Sequence, residues 1–194
     1  MTRSRYKIYN DQQPHFLTAT VVDWIPLFAN PEIVSIILDS LRFVQKEREV
    51  ILYGYVIMED HLHLVASAPE LSKTIREFKS FTARAIVDYL RGQNSVPLLK
   101  ELGRAKLYHK KESKYQLWEE GNHPEEICSE RMLIQKIEYI HRNPIRRGYV
   151  DEAEHWRYSS ARNYIRKEGL IEVCTDWINS DREINGDLEA ELRR

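Results

Sequence analysis

His61 and His63 stand two residues apart in the run His61-Leu62-His63-Leu64-Val65. In an extended strand alternate side chains share a face, so both imidazoles point one way and Leu62 and Leu64 the other. Neutral imidazoles are nitrogen donors, and two that converge from one strand can supply two ligands to a single divalent cation. A second group lies late in the chain, in Tyr139-Ile140-His141-Arg142-Asn143-Pro144. Positions four apart on a helix share a face, so Tyr139 and Asn143 sit together, with Lys136 one turn before Tyr139. Leu133, Ile137 and Ile140 make the opposite, apolar side of that helix. Each group also admits a structural reading. The histidines could be a half-buried, hydrogen-bonded pair, and Tyr139 could cover apolar surface while its hydroxyl stays in water. The Asn143 oxygen could complete a metal site or cap its own helix, since Pro144 follows it and should end the helix.

These residues need a frame, and the pattern supplies one. His15–Val22 is rich in β-branched and aromatic residues and predicts a strand. Pro31–Glu47 has a helical apolar period, with Asn30 placed to cap it and Pro31 at the first helical position. Residues 50–57 and 61–67 predict two strands joined by the short connection Met58-Glu59-Asp60. A long helix follows over 71–91, then a polar, basic connection over 92–114. An edge strand is expected at Tyr115–Trp118 and another helix over 130–142. This order predicts an α+β fold with the split β-α-β arrangement of a ferredoxin-like sheet, an additional helix carrying Tyr139, and a C-terminal extension. Residues 1–150 would form the domain and 151–194 an added segment with an acidic end, in which Trp156, Tyr158 and Tyr164 pack back onto it.

Of the 194 residues, 42% are hydrophobic and 30% charged, enough for a buried core and against global disorder. No apolar run is long enough to span a bilayer, and Met1–Arg5 lead into polar sequence, so a cytoplasmic protein without a membrane segment is expected. Two well-separated cysteines, Cys128 and Cys174, argue against a disulfide framework or a thiolate zinc site. The net charge of −1 hides a strong asymmetry: residues 71–115 carry a local +7 and residues 151–194 a local −4. The row Lys73, Arg76, Lys79, Arg84 and Arg91, continued by Lys100, Arg104, Lys106, Lys110, Lys111 and Lys114, could follow a phosphate backbone. Interleaved Tyr108, His109, Tyr115 and Trp118 could stack on unpaired bases. Arg142, Arg146 and Arg147 flank Tyr139 and could hold a phosphate there, whereas His123 and His141 are expected to be structural or surface residues.

The HLHLV strand, the KTIREFKSFTARAI helix, Leu117-Trp118, the KIEYIHRNPIRRGYV block and WRYSSARNY together resemble the single-tyrosine HUH transposases, in particular the REP-associated tyrosine transposases. The likeness runs from about His15 to about Tyr164. It implies a ferredoxin-like protein that nicks single-stranded DNA beside a hairpin with Mg²⁺ or Mn²⁺, acting as a monomer or a homodimer. Carried over by position, His61, His63 and Asn143 would be metal ligands and Tyr139 the nucleophile. The residue types suit that chemistry. Cutting a phosphodiester so that it can be rejoined calls for a covalent intermediate, and a phenol needs help to react at neutral pH. A cation would polarise the phosphate, and Lys136 could assist the phenol. The sequence departs from the family's pattern in one place, where Glu59-Asp60 stand before His61 instead of the usual Pro-Asn. The neighbouring alternatives are a domesticated hairpin-binding protein that no longer cuts, and an unrelated His-x-His hydrolase in which Tyr139 is passive.

Overall fold

The computed structural model describes residues 8, 12–108, 113–121 and 124–177. The roles expected of His109, Lys110, Lys111, His123 and the acidic stretch beyond Trp177 fall outside them. The strands are β1 (His15–Thr20), β2 (Ile51–Ile57), β3 (His61–Ser67) and β4 (Glu125–Glu126). They form one antiparallel sheet in the order β2-β3-β1-β4. With α1 (Pro31–Glu47) between β1 and β2, and α2 (Leu71–Gly92) after β3, this is the ferredoxin-like order the sequence predicts.

Local chemistry sets the ends of these elements. The Asn30 side chain accepts a hydrogen bond from the Glu32 amide at 2.9 Å, and Pro31 occupies the first turn, where an amide hydrogen has no helical partner. β2 and β3 are joined by only Met58-Glu59-Asp60, closed by the Met58 amide on the His61 carbonyl. α1 and α2 pack on the face of the sheet that carries Leu17, Ala19, Leu52, Leu62, Leu64 and Ala66. The opposite face carries Phe16, Tyr53, Val56 and Val65, and receives Leu133, Ile137 and Ile140 of α4 (Glu130–Arg146). β3 is therefore an inner strand, buried on both sides. Gly54 in β2 permits the close approach of α4: a Cβ there would stand 2.5 Å from Ile137 Cδ1 and 3.3 Å from Ser160 Oγ.

Three sequence expectations change. The basic connection contains a helix, α3 (Val96–Arg104), because Leu98, Leu99 and Leu102 turn inward onto the main core while the lysine and arginine side chains stay outside. Tyr115–Trp118 is not the edge strand. That segment makes a single bridge, Val21 to Trp118, and the edge is taken by β4, which pairs with His15 and Phe16. Finally, α4 does not stop before Pro144. It runs through the proline to Arg146, so Asn143 is not its cap. The helix is closed four residues later by Gly148, whose φ of +72° is costly for other residues, with the Tyr149 amide bonded to the Pro144 carbonyl.

The segment after α4 is sewn along the outer edge of β2. Trp156 Nε1 donates to the Ile57 carbonyl, the Tyr164 hydroxyl donates to the Tyr53 carbonyl, and the Cys174 amide donates to the Leu52 carbonyl. Ile171 enters the main core. The short helix α5 (Ala161–Tyr164) lies within this segment.

Candidate active site

The register of the sheet builds the histidine pair. Thr18 lies opposite His63 and Thr20 opposite His61, so β1 side chains flank both rings. Thr18 Oγ1 is 2.8 Å from His63 Nδ1, and Asp60 Oδ1 is 2.5 Å from His61 Nδ1. The ring centroids lie 4.8 Å apart at 69°. Each Nδ1 is thus engaged by an oxygen, an arrangement that orients the ring and leaves Nε2 as the atom to act. Both residues are more enclosed than the sequence suggested, 5% exposed for His61 and 6% for His63. Burial, with smaller electrostatic contributions from neighbouring His61 and Lys136, pulls the His63 pKa down to about 3, so this imidazole is neutral at physiological pH.

α4 brings Tyr139 to this pair across 76 residues of sequence. Ser129 caps the helix by accepting from the Met132 amide at 3.2 Å, and the apolar stripe Leu133-Ile137-Ile140 seats it on the sheet. Tyr139 then lands beside His63, with ring centroids 5.4 Å apart, and edge-on to Phe16 at 5.8 Å. Phe16 in turn stacks on His63 at 5.1 Å. Tyr139 is 38% exposed, open enough to be reached, and the Arg146 guanidinium lies 5.4 Å from its ring centre. Asn143 sits one turn on, with its amide nitrogen donating to the Tyr139 carbonyl at 2.9 Å. Lys136 pairs with Glu125 at 2.5 Å and covers the Phe16 ring.

Glu59 and Asp60 are not stray acids. The tight turn redirects Asp60 from the alternation of a regular strand onto His61. Glu59 meets Arg147 at 2.5 Å and accepts from the Tyr149 hydroxyl at 2.7 Å, while Arg147 also lies 3.9 Å from Asp60. The two acids therefore tie the start of β3 to the end of the Tyr139 helix. The hydrogen bond to Glu59 holds the Tyr149 phenol above its usual pKa.

The basic residues divide. Lys136, Arg142 and Arg146 share α4 with Tyr139, and Arg147 follows at its C-terminal end. Lys73, Arg76 and Arg84 are exposed on α2, on the other side of the sheet, where Lys73 pairs with Glu70 at 2.8 Å. Lys79 reaches the Glu119 carbonyl at 3.3 Å and the Trp118 ring. Trp118 is buried, with Nε1 donating to Thr82 Oγ1, and so offers no free face to a base. His141 is fully enclosed, 2.8 Å from Ser160 Oγ, and its burial lowers its pKa to about 3. This explains part of the WRYSSARNY run: Ser160 holds both His141 and the Tyr55 amide. Phe16, Thr18, Trp24 and Tyr149 belong to the surroundings of the site but were not singled out by sequence. Only the strand register or the turn geometry reveals them.

Among the described residues, no group of three or more His, Cys, Asp or Glu stands together as a self-sufficient metal cage. His61 and His63 form a partial donor set that suits a cation whose other ligands come from an amide oxygen and a bound anion. Beside it stands an accessible phenol with a guanidinium at its ring. No helix among the described residues is long and apolar enough to cross a membrane.

Comparisons with known proteins bear on the fold and the family. A Haemophilus influenzae protein provisionally named a REP-associated tyrosine transposase is 29% identical over 136 residues, covering 68% of this chain and 69% of its own. The structure of a REP-associated tyrosine transposase bound to a REP hairpin superposes with a TM-score of 0.64, over 89% of both chains, at 16% identity, a likeness of fold. The model of the IS200-like transposases matches residues 26–143. That match spans more than half of the sequence, from just before α1 to Asn143, and the chain belongs to the IS200-like transposase family.

Proposed function

We propose that this protein is a metal-dependent endonuclease and strand transferase that acts on single-stranded DNA beside a hairpin, in the cytoplasm, through a phosphotyrosine at Tyr139. The observation that carries the reading is the placement of the Tyr139 ring 5.4 Å from His63, from elements far apart in sequence. The hairpin is suggested by the DNA that the structural neighbour binds.

The residues fit a bound cation. His61 and His63 would hold Mg²⁺ or Mn²⁺ through Nε2, since the Nδ1 atoms are engaged by Asp60 and Thr18, and Asn143 would add its amide oxygen. Such an ion supplies Lewis-acid stabilisation of a phosphate oxygen. The remaining work falls to the chain. The Tyr139 oxygen attacks phosphorus and forms the Oη–P bond as the P–O3′ bond breaks. The phenolic proton leaves to solvent, and the departing 3′ oxygen takes up a proton. The 5′ phosphate stays on the enzyme until a 3′ hydroxyl reverses the step, so the strand can be rejoined. Arg142 and Arg146, on the same helix, would hold the phosphate and steady the phenolate, with Lys136 close by and Arg147 anchoring the helix end. Lys73, Arg76, Lys79 and Arg84 would follow the DNA backbone on the α2 side. Tyrosine and histidines come from one chain, so a monomer suffices, with a homodimer as the other assembly.

Incubation with hairpin-bearing single-stranded oligonucleotides and Mn²⁺ should give a covalent protein–DNA product resistant to denaturant. Tyr139→Phe should abolish it and leave hairpin binding within about two-fold. An undiminished adduct in that variant rules out Tyr139 as nucleophile. Binding with no adduct from the unaltered protein under Mg²⁺ or Mn²⁺ makes it a non-cleaving hairpin-binding protein.

A further inference from the structure

Between β1 and α1 the chain makes a short turn, Val22–Trp24, in which Asp23 and Trp24 both take left-handed backbone angles, φ 51° and 56°. Side chains other than glycine adopt that conformation at a cost. The turn is held rigidly in spite of it. The Val21 amide bonds to the Asp60 carbonyl at 2.8 Å, the Val22 amide to the Leu117 carbonyl at 2.8 Å, and the Phe28 amide to the Glu59 carbonyl at 2.9 Å. The result is an indole presented to solvent, 56% exposed, with its ring centre 6.1 Å from that of His61 at 75°. The other tryptophans behave differently. Trp118 is buried, Trp156 stacks on Tyr149, and Trp177 bonds to the Cys174 carbonyl.

We propose that Trp24 is a stacking platform for an unpaired base next to the phosphate held at the histidine pair. The inference rests on the proposed DNA-nicking function and adds a base subsite to it. Around the pair, Lys136 and Arg146 stand at the Phe16 and Tyr139 rings, whereas Glu59 and Asp60 are already engaged by Arg147 and His61. A strand whose phosphate lies with the Arg146 guanidinium of α4 at the Tyr139 ring presents the neutral face of a neighbouring base to the exposed indole beside His61. Every base has such a face, so stacking there is tolerant of sequence.

The test uses the Tyr139→Phe protein, which holds DNA without cutting it, and a hairpin oligonucleotide with unpaired tails. Trp24→Ala should weaken binding on the order of ten-fold, whereas Trp24→Phe should keep the affinity within about three-fold and lose most of the tryptophan quenching. Replacing tail nucleotides one at a time by abasic sites should reveal one position that weakens the parent as much as Trp24→Ala does and costs that variant nothing more. If the Trp24→Ala and abasic losses multiply at every position, or Trp24→Ala binds like the parent, the platform is refuted. Absence of any hairpin binding removes the nicking reading and the platform together. Coupling to one base without an adduct from the unaltered protein removes only the nicking.

Discussion

The two faces of the central sheet are built on different principles. Toward α1 and α2 the interior is largely aliphatic and continuous: Leu17, Leu62 and Leu64 lie in one cluster with Ile33, Ile37, Leu41, Ile75 and Ile86, all buried, and with a few aromatic rings such as Phe28 and Phe78. Toward α4 the apolar cluster is smaller, and beside it lie the buried His61, His63, Asp60 and His141 and the half-buried Thr18, held by side-chain hydrogen bonds. Apolar contacts are non-directional and tolerate small shifts, whereas a buried polar group holds its place only while each partner stays in position. One face thus supplies stability and the other supplies geometry. β3 serves both at once, since Leu62 and His63 are neighbours in sequence and point to opposite faces.

That alternation gives the largest expected contrast. His63→Ala should abolish the DNA adduct and the response to Mn²⁺ while the thermal midpoint changes little. Leu62→Ala, one residue away, should destabilise the fold by about 2–5 kcal/mol, the usual range for a buried leucine, and leave the surviving folded protein able to form the adduct. Thermal unfolding and the adduct assay on both variants test the division. A His63→Ala protein that unfolds as readily as Leu62→Ala would show that the polar face carries stability too.

The next effect is on pH. His141 has its pKa lowered to about 3 by burial, from an ordinary value of 6.5. Above pH 6.5 the folded and unfolded chains both hold it neutral, and its contribution is fully present. Below that the unfolded chain takes up a proton that the folded chain refuses, so stability falls as pH drops toward 3. The slope is about 1.4 kcal/mol per pH unit for one such group, and His63 acts in the same sense. In the absence of divalent metal, the midpoint of unfolding should drop steadily from pH 6.5 to 4.5, and less steeply in His141→Gln. Equal slopes would mean that the enclosure of His141 is not felt in the folding equilibrium.

The same contrast governs what could be read from sequence. The aliphatic face was legible because its rules are local: α1 follows from a cap, a proline and a helical period, and β2 and β3 from short strand-like runs around the three-residue connection Met58-Glu59-Asp60. On the other face the identities of His61, His63 and Tyr139 could be seen, but their meeting depends on the register of β1 against β3 and on Gly54 admitting α4. By strand alternation Asp60 falls on the face opposite the histidines, until the turn places it on His61. Pro144 reads as a stop, yet α4 continues, since losing one amide hydrogen bond is offset by the packing of Ile140 and the buried proline itself. The helix α3 was missed because its few leucines are diluted by charge, and only the core they meet makes them decisive.

The smallest effect on stability is expected where the two faces are fastened at their rim. Glu59 joins Arg147 and Tyr149 to the β2–β3 turn, and the pair is partly exposed, so its loss should cost the fold about 1 kcal/mol or less. Its effect on the site should be larger than its effect on stability, because Arg147 and Tyr149 follow the helix that carries Tyr139, and the same turn carries the Asp60 that orients His61. Glu59→Ala should therefore slow adduct formation several-fold at an almost unchanged unfolding midpoint, with hairpin affinity preserved. The charge exchange Glu59→Arg with Arg147→Glu should recover part of the rate that either change alone removes. If Glu59→Ala left the rate untouched, the seat of α4 on the sheet would be sufficient to aim the phenol. A loss of rate matched by an equal loss of stability would make the clamp an ordinary structural contact, and the rim would then belong with the aliphatic face.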